Sequence, residues 1–227
     1  MAKHGGKKHL KISNVPKMIR IGKKRKVWMV KPLPGRHDAE SSVALLFILK
    51  IAGFANSAKE VKKILNSRAV KVDGKIITEE KYPVGLMDVI EVGSKALRLV
   101  LDESGRLKLI ETKNPRIKIC LVKRKRRAKE GRIFVALHDG TNLLDYNCSV
   151  NDSIKISLPE RKPIALYKLE KGAKCLITKG KYAGKIVDIK EVTEGNAAVR
   201  AEVTFEIDGV PHRTLKEYAF PINEADL

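Results

Sequence analysis

Apolar residues are sparse along residues 1–37 and come singly, apart from the cluster Trp28-Met29-Val30, while Gly, Pro and basic residues fill the gaps. No helix or strand period runs through this stretch. It predicts an extended basic arm that orders on its partner, with Trp28–Val30 as a docked apolar anchor. The alternative is a disordered tail that only aids solubility. From about residue 38 the pattern tightens. "VALLFILKIAG" predicts a helix that Asp38, Ser41 or Ser42 can cap and that stops near Gly53. In "NSAKEV", Ser57 and Glu60 have the spacing of a capping box, and Ala58, Val61, Ile64 and Leu65 make the apolar face of a second helix. Val70, Val72 and Ile76 then alternate around Asp73-Gly74, which predicts a hairpin, and "MDVIEV" supplies a closing strand. Two helices and a small sheet within residues 38–93 form an α+β module.

Beyond residue 94 the apolar period is two. "LRLVLDESGRLKLIE" reads as two strands joined at Glu103-Ser104-Gly105. "RIKICLV" and "RIFVALHDG" flank a charged run, and "VNDSIKISLP" follows. Short strands at such spacing predict a small central β-barrel over 94–165. Residues 166–227 read as strands again, with a hairpin turn at Asp208-Gly209. The expected fold class is therefore α+β and multi-domain: a basic extended N-terminal arm (1–37), a helix-helix-hairpin module (38–93), the central barrel (94–165) and a C-terminal β-barrel (166–227).

Aromatic residues make up only 5% of the chain against 43% apolar overall, so the cores must be built from Val, Ile and Leu. Charge changes the functional reading. The net charge is +21, and residues 1–37 hold twelve Lys and Arg and no acid. Such a surplus points to a polyanionic partner: nucleic acid, an anionic membrane or an acidic protein. Basic residues recur along the chain instead of lining one amphipathic helix, which favours nucleic acid. The longest apolar run, Val43–Leu49, is seven residues, against about 20 for a spanning helix, and no secretory signal is expected. Cys120, Cys148 and Cys175 are isolated and odd in number, which fits buried thiols in a reducing compartment. No metal site and no cofactor are expected. From Asp188 onward nine acids outnumber four Lys or Arg, so the acidic end is expected to face solvent or a basic protein.

Basic constellations carry the candidate chemistry. Lys59, Lys62 and Lys63 lie on the second helix, Arg68 just after it, and Lys71 and Lys75 on the hairpin. Positions i, i+3 and i+4 can set ammonium groups along one phosphate track; an ordinary solvated helix face is the alternative. The order helix, capped helix, "RAVKVDGK" and "VGLMDVIEV" resembles the small RNA-binding module shared by a bacterial ribosomal protein, certain pseudouridine synthases and a tRNA synthetase. That resemblance implies that the second helix and the hairpin meet RNA. In "KRKRRAK", Lys123, Arg124, Lys125, Arg126, Arg127 and Lys129 crowd into seven positions. Like charges repel along and across a strand, so this run is expected to be a loop tip. A nuclear-localisation segment fits its composition. Interruption of a hairpin in a basic protein favours an RNA-contacting loop, which adds affinity and little sequence information.

"KGAKCLITKGKYAGKIVDI" closely resembles the KOW motif of ribosomal proteins and transcription elongation factors, which implies an SH3-like barrel. Gly172 opens it, Cys175 and Ile177 fill apolar strand positions, and Gly180 and Gly184 flank Lys181, Tyr182 and Ala183. Glycine is required where the loop takes positive φ and another backbone comes close. Lys179, Lys181 and Lys185 flank the turn as RNA contacts; a plain hairpin with basic decoration is the alternative.

No catalytic constellation is expected. Pseudouridine synthases need a catalytic Asp in a large mixed domain. "VLDESGR" and "LLDYN" contain Leu-Asp, but no remaining segment is long enough for such a domain. Asp102 is read as a turn residue before Gly105, and His138-Asp139-Gly140 as a turn. GxxxxGK[ST], HExxH and the nucleophile elbow are absent.

Four motifs in order, "KKHLK" (7–11), "KPLPGRH" (31–37), "VDGKIITEEKYPVGLMDVIEV" (72–92) and the KOW element (172–187), resemble the archaeal–eukaryotic (e-type) family of small-subunit ribosomal protein four over nearly the whole chain. Arg36 stands where that family usually has Pro, and no Trp lies between Lys17 and Lys23. The resemblance implies a non-enzymatic structural component of the cytoplasmic small ribosomal subunit. Its partners would be small-subunit ribosomal RNA and neighbouring small-subunit proteins, with no membrane and no small-molecule substrate. On this reading Lys7, Lys8, Lys11, Lys17, Arg20, Lys23, Lys24, Arg25, Lys26, Lys31, Arg36 and His37 are the arm's RNA contacts. A KOW-bearing transcription elongation factor and an RNA-modifying enzyme are the rival readings. The first would carry a further domain for polymerase, the second a catalytic one.

Each phosphate neutralised by the arm releases condensed counterions and steepens the log–log salt dependence of RNA binding by about 0.7–0.9. Removing residues 1–37 is expected to lower that slope by several units in titrations at graded salt. An unchanged slope would exclude the arm as a phosphate contact.

Overall fold

The computed structural model of the chain describes residues 9–11, 15, 28–38, 40–127, 131–196 and 199–223. It divides into two compact units: Met1–Val100 with Arg106–Glu111, and Leu101–Gly105 with Thr112–Leu227. Most described residues outside loops are in strands, arranged as small antiparallel sheets, with two α-helices. Among the described residues no helix is long and apolar enough to cross a membrane.

In unit one, β1 (His9–Lys11) pairs antiparallel with β2 (Trp28–Val30), Leu10 opposite Met29. Part of the expected extended arm is thus a two-stranded ladder. Met29 is buried, as an apolar anchor should be. β3 (Ser42–Ala44) leads directly into α1 (Leu45–Ile51). The expected cap on this helix is corrected here: Ala44 is the N-cap and no side chain caps it. Ser41 and Ser42 instead donate their hydroxyls to the Asp38 carbonyl. The first helical amides are satisfied from elsewhere, Leu45 N by Tyr82 O and Leu46 N by Glu80 O, each at 2.9 Å. Gly53, at φ +78, ends the helix as expected.

α2 (Ala58–Asn66) carries the anticipated capping box. Glu60 N donates to Ser57 Oγ at 3.2 Å, and Ser57 Oγ donates to Glu60 Oε1 at 2.8 Å. The Asn56 amide, then the Ser57 hydroxyl, hold the Glu60 carboxyl below its ordinary range. Val61 and Leu65 are buried and Ile64 half-buried, but Ala58 is exposed.

β4 (Val70–Val72) and β5 (Lys75–Ile76) form the Asp73-Gly74 hairpin, with φ +50 and +76 at the turn. β6 (Pro83–Gly85) pairs with β3. β7 (Val89–Val92) pairs with β4, and β8 (Lys95–Leu101) and β9 (Leu107–Glu111) continue the same sheet in the order β5-β4-β7-β8-β9. The sheet therefore does not stop at residue 93. Ile76 departs from its expected place: the two-residue turn sets it opposite Lys71, and it is 52% exposed while Val70 and Val72 are buried.

Unit two holds two five-stranded sheets. β10 (Ile117–Arg127), β11 (Ile133–Leu137), β12 (Asn142–Leu144), β13 (Ser153–Ser157) and β14 (Pro163–Tyr167) follow the order β12-β11-β10-β13-β14. β15 (Lys174–Ile177), β16 (Ile186–Thr193), β17 (Glu202–Ile207), β18 (Val210–Leu215) and β19 (Ala219–Pro221) follow β18-β17-β16-β15-β19. The first sheet buries Cys120, Val122, Val135, Leu137, Ile154 and Ile156. The second buries Cys175, Ile177, Ile189, Val203 and Phe205. All three cysteines are buried. Burial, then the Asp188 carboxylate, pushes the Cys175 thiol up to about 12. His138 ties the two sheets together: its Nδ1 accepts from Leu121 N at 3.1 Å, and its ring meets Phe220 edge-on at 5.7 Å.

Two polar devices stabilise unit two. Lys118 and Asp139, both fully buried, pair at 3.1 Å beneath the first sheet. Asp139 also accepts from the Thr141 amide and hydroxyl, so the expected His138-Asp139-Gly140 turn doubles as the seat of a buried cation. The second device is steric. Gly184, at φ +91, lies so close to the 101–105 turn that a Cβ there would collide with the Asp102 carbonyl oxygen. Asp102 is the expected turn residue, its Oδ1 accepting from the Ser104 amide and hydroxyl.

Lys118→Met leaves the Asp139 carboxylate buried without its cation and is expected to cost about 3–5 kcal/mol, read from urea unfolding. Gly184→Ala is expected to cost about 3 kcal/mol or more, because strain and backbone collision combine. Gly172→Ala, at φ +86 with open space around it, should cost only about 1 kcal/mol. Equal costs for the two glycines would refute the close-approach explanation.

Candidate nucleic-acid interface

The end of the arm is built into unit one. Arg36 Nη1 donates to Asp73 Oδ2 at 2.8 Å, and Asp73 Oδ1 accepts from Val89 N at 3.0 Å. His37 Nε2 lies 2.8 Å from Asp88 Oδ2, which also accepts from Gly85 N at 2.9 Å. The His37 ring rests on Gly85, where a Cβ would come within 2.5 Å of Nδ1. Both expected RNA contacts are thus also tied to carboxylates of unit one. His37 is buried at 5% exposure and offers no ring to a phosphate, and Arg36 is bonded to a buried carboxylate. A sequence shows their charge but not the two Asp residues that receive them. Lys31 is exposed. Lys11 is described only as part of β1, and Lys7, Lys8, Lys17, Arg20, Lys23, Lys24, Arg25 and Lys26 lie outside the described residues.

On the module, Lys59, Lys62, Lys63, Arg68, Lys71 and Lys75 are all exposed. The apolar stripe Val61–Leu65 faces inward, which turns the lysines of α2 to water. Lys62, itself exposed, makes a loose ion pair at 3.7 Å with the half-buried Glu80. The hairpin does not bring its two lysines together. Lys71 is registered with Ile76 and Lys75 with Val72, so they lie on opposite faces of the ribbon.

The run from Lys123 onward is a strand and not a loop tip: β10 continues through Arg127. Repulsion does not forbid it, because the cross-strand partners are apolar. Arg124 faces Ala136, Lys125 faces Val135, Arg126 faces Phe134 and Arg127 faces Ile133. All five basic residues Lys123–Arg127 are exposed, so water screens the charges that remain side by side. The irregularity between Val122 and Arg124 shifts the alternation. Val122 and Leu137 close the buried face, whereas Arg124 and Arg126 share the outer face with Ala136 and Phe134. Lys125 takes the other side, donating to the Cys148 carbonyl at 2.8 Å. Lys129 lies outside the described residues.

In the KOW-like loop, Gly184 N donates to Ile177 O and Thr178 N to Tyr218 O, both at 2.8 Å, which latches the loop onto its strands. Tyr182 packs edge-on to Phe205 at 5.4 Å, with its hydroxyl 2.9 Å from His212 Nδ1. With Tyr182 fixed, Lys179, Lys181 and Lys185 are exposed around it, and Lys181 Nζ lies 5.5 Å from the Tyr182 ring centroid.

Comparison with known proteins bears on the whole chain. Family models match in sequence order: the RS4NT (NUC023) domain over residues 4–40, the S4 domain over 45–90, and Ribosomal family S4e over 94–163. The small ribosomal subunit protein eS4 of Methanocaldococcus jannaschii is 36% identical over 240 residues, spanning 100% of this chain and 98% of that relative. The protein of the same name from Methanothermobacter thermautotrophicus is 36% identical over 231 residues, spanning 99% and 96%. The crystal structure of the 30S ribosomal protein S4e from Thermoplasma acidophilum superposes with a TM-score of 0.69 at 30% identity, covering 80% of this chain and 95% of that one. Likeness of this extent, carried from the arm through both sheets of unit two, makes the chain a member of the S4e family of ribosomal proteins.

Proposed function

We propose that the chain is a structural constituent of the small ribosomal subunit, that it binds the subunit's ribosomal RNA, and that it thereby supports subunit assembly and translation in the cytoplasm. The observation that carries this is full-length similarity to proteins named small ribosomal subunit protein eS4. The geometry supports it. Exposed cations recur on the S4 module, on the β10 ribbon and around the KOW-like loop. Phosphate contacts of this kind hold a protein in register on RNA without reading bases.

In finer terms, the arm (1–37), the module (38–93), the central segment (94–165) and the KOW segment (166–227) each contribute a contact surface. The proposed contacts are the arm cations up to Lys31, Lys59, Lys62, Lys63, Arg68, Lys71 and Lys75 of the module, Lys123–Arg127 and Lys129, and Lys179, Lys181 and Lys185. Glu194 and Glu206 pair with Lys216 and Lys190 of the same chain, and neighbouring small-subunit proteins are the further partners. A polymerase factor or a modifying enzyme has no observation in its favour.

The full chain is expected to cosediment with small subunits at one copy each through high-salt washes, and to bind small-subunit ribosomal RNA with strong salt dependence. Joint replacement of Lys59, Lys62, Lys63 and Arg68 by Gln should lower the log–log salt slope by up to about 3 units. Truncation for the same purpose should end at residue 27, because Arg36 and His37 hold unit one together. Absence from purified subunits, or no affinity for their RNA even in dilute buffer, would overturn the proposal.

A further inference from the structure

The outer face of the β10–β12 ribbon carries a feature that phosphate binding does not use. Phe134 and Leu144 are registered opposite each other on β11 and β12 and are 42% and 53% exposed. Arg126 is registered with Phe134 from the other side, and Arg124 lies one pleat along the same face. The chain has only five Phe, and Phe205 and Phe220 are fully buried, so an aromatic ring left half in water needs a reason. The bulge after Val122 supplies the arrangement: without it Arg124 and Arg126 would follow Val122 onto the buried face. Among the described residues no carboxylate pairs with Arg124 or Arg126, and Asp145, which follows Leu144, turns one oxygen to the Ile133 amide at 2.9 Å.

We infer that this face is a stacking platform for an unpaired RNA base, with Phe134 under the base, Leu144 at its edge, and Arg124 and Arg126 on the flanking phosphates. This rests on the RNA-binding function proposed above and adds to it a contact with single-stranded nucleotides. Cross-strand Cβ atoms lie about 5 Å apart, so Arg126 and Phe134 are side-by-side neighbours on this face and the Arg126 side chain is long enough to meet a phosphate next to a base on the ring. Aromatic faces flanked by cations are how proteins hold unpaired bases, since every base has a π-face and a charged backbone attached to it. A duplex does not present such a face. An apolar protein surface would cover Phe134 and Leu144 only by also stripping water from two arginines with no acid to receive them.

The test uses the full chain with Phe134→Trp, whose exposed position tolerates the larger ring, and wild type as the blank for Trp28. Saturable quenching of the added fluorescence by a short single-stranded oligouridylate is expected, with none from inorganic polyphosphate or a blunt RNA duplex. Adding Arg124→Gln and Arg126→Gln should lower the log–log salt slope of that quenching by about 1.4. In the wild-type chain, ultraviolet crosslinking to the oligouridylate should label the peptide bearing Phe134, and Phe134→Ala should abolish that adduct while weakening the site roughly five- to 150-fold. Equal quenching by polyphosphate would reduce the face to a charge contact. Absence of both quenching and adduct, with salt-dependent RNA binding intact, would overturn the platform alone. Loss of all RNA binding in dilute buffer would overturn the underlying function as well.

Discussion

Two buried carboxylates organise unit one. Asp73 and Asp88 both sit in the β4–β7 region, and each is held by a backbone amide, Val89 N and Gly85 N, before it receives a cationic or imidazole side chain from the arm. A carboxylate excluded from water is costly unless it is fully hydrogen-bonded. Arg36 and His37 meet that requirement, and in doing so they fix where a strongly basic segment leaves a small folded module. The exit point is anchored by buried carboxylates although the chain around it is largely exposed. Gly85 is part of the same constraint, since any side chain there would occupy the space of the His37 ring.

Elsewhere the surplus charge is accommodated mainly by exposure. On α2 the apolar stripe turns the lysines outward. On β10 the remedy is register: each basic residue from Arg124 to Arg127 faces an apolar one, so repulsion across the ladder never arises. The exception is Lys118, which is buried on the same strand and carries its own carboxylate beneath the sheet. A single strand thus shows both solutions, a cation paired with a carboxylate inside and exposed cations in water.

Local signals were legible where a residue and its partner lie within a few positions. The Ser57–Glu60 box, the Gly53 stop, the turns at Asp73-Gly74 and Asp208-Gly209, and the Asp102 turn all follow from short-range chemistry. Reading failed where the deciding partner is distant. Short-range chemistry offers Asp38, Ser41 or Ser42 as the α1 cap, but the amides are met by the Tyr82 and Glu80 carbonyls. Ile76 looked like a core residue until the two-residue turn set its face. The basic run reads as a loop from its own charge, because the apolar residues it faces across the ladder lie on another strand. His37 and Arg36 looked like surface cations because Asp88 and Asp73 lie 51 and 37 positions away. The family itself was legible, because four ordered motifs constrain it together.

The glycines of the KOW-like loop differ in kind. Gly172 answers only to its own backbone torsion, whereas Gly184 is dictated by a carbonyl contributed from a turn some eighty positions earlier in the chain. The short motif is therefore not self-sufficient: transplanted into a barrel without that turn, its last glycine would lose its steric necessity, and its presence in a sequence is a mark of the neighbour that crowds it.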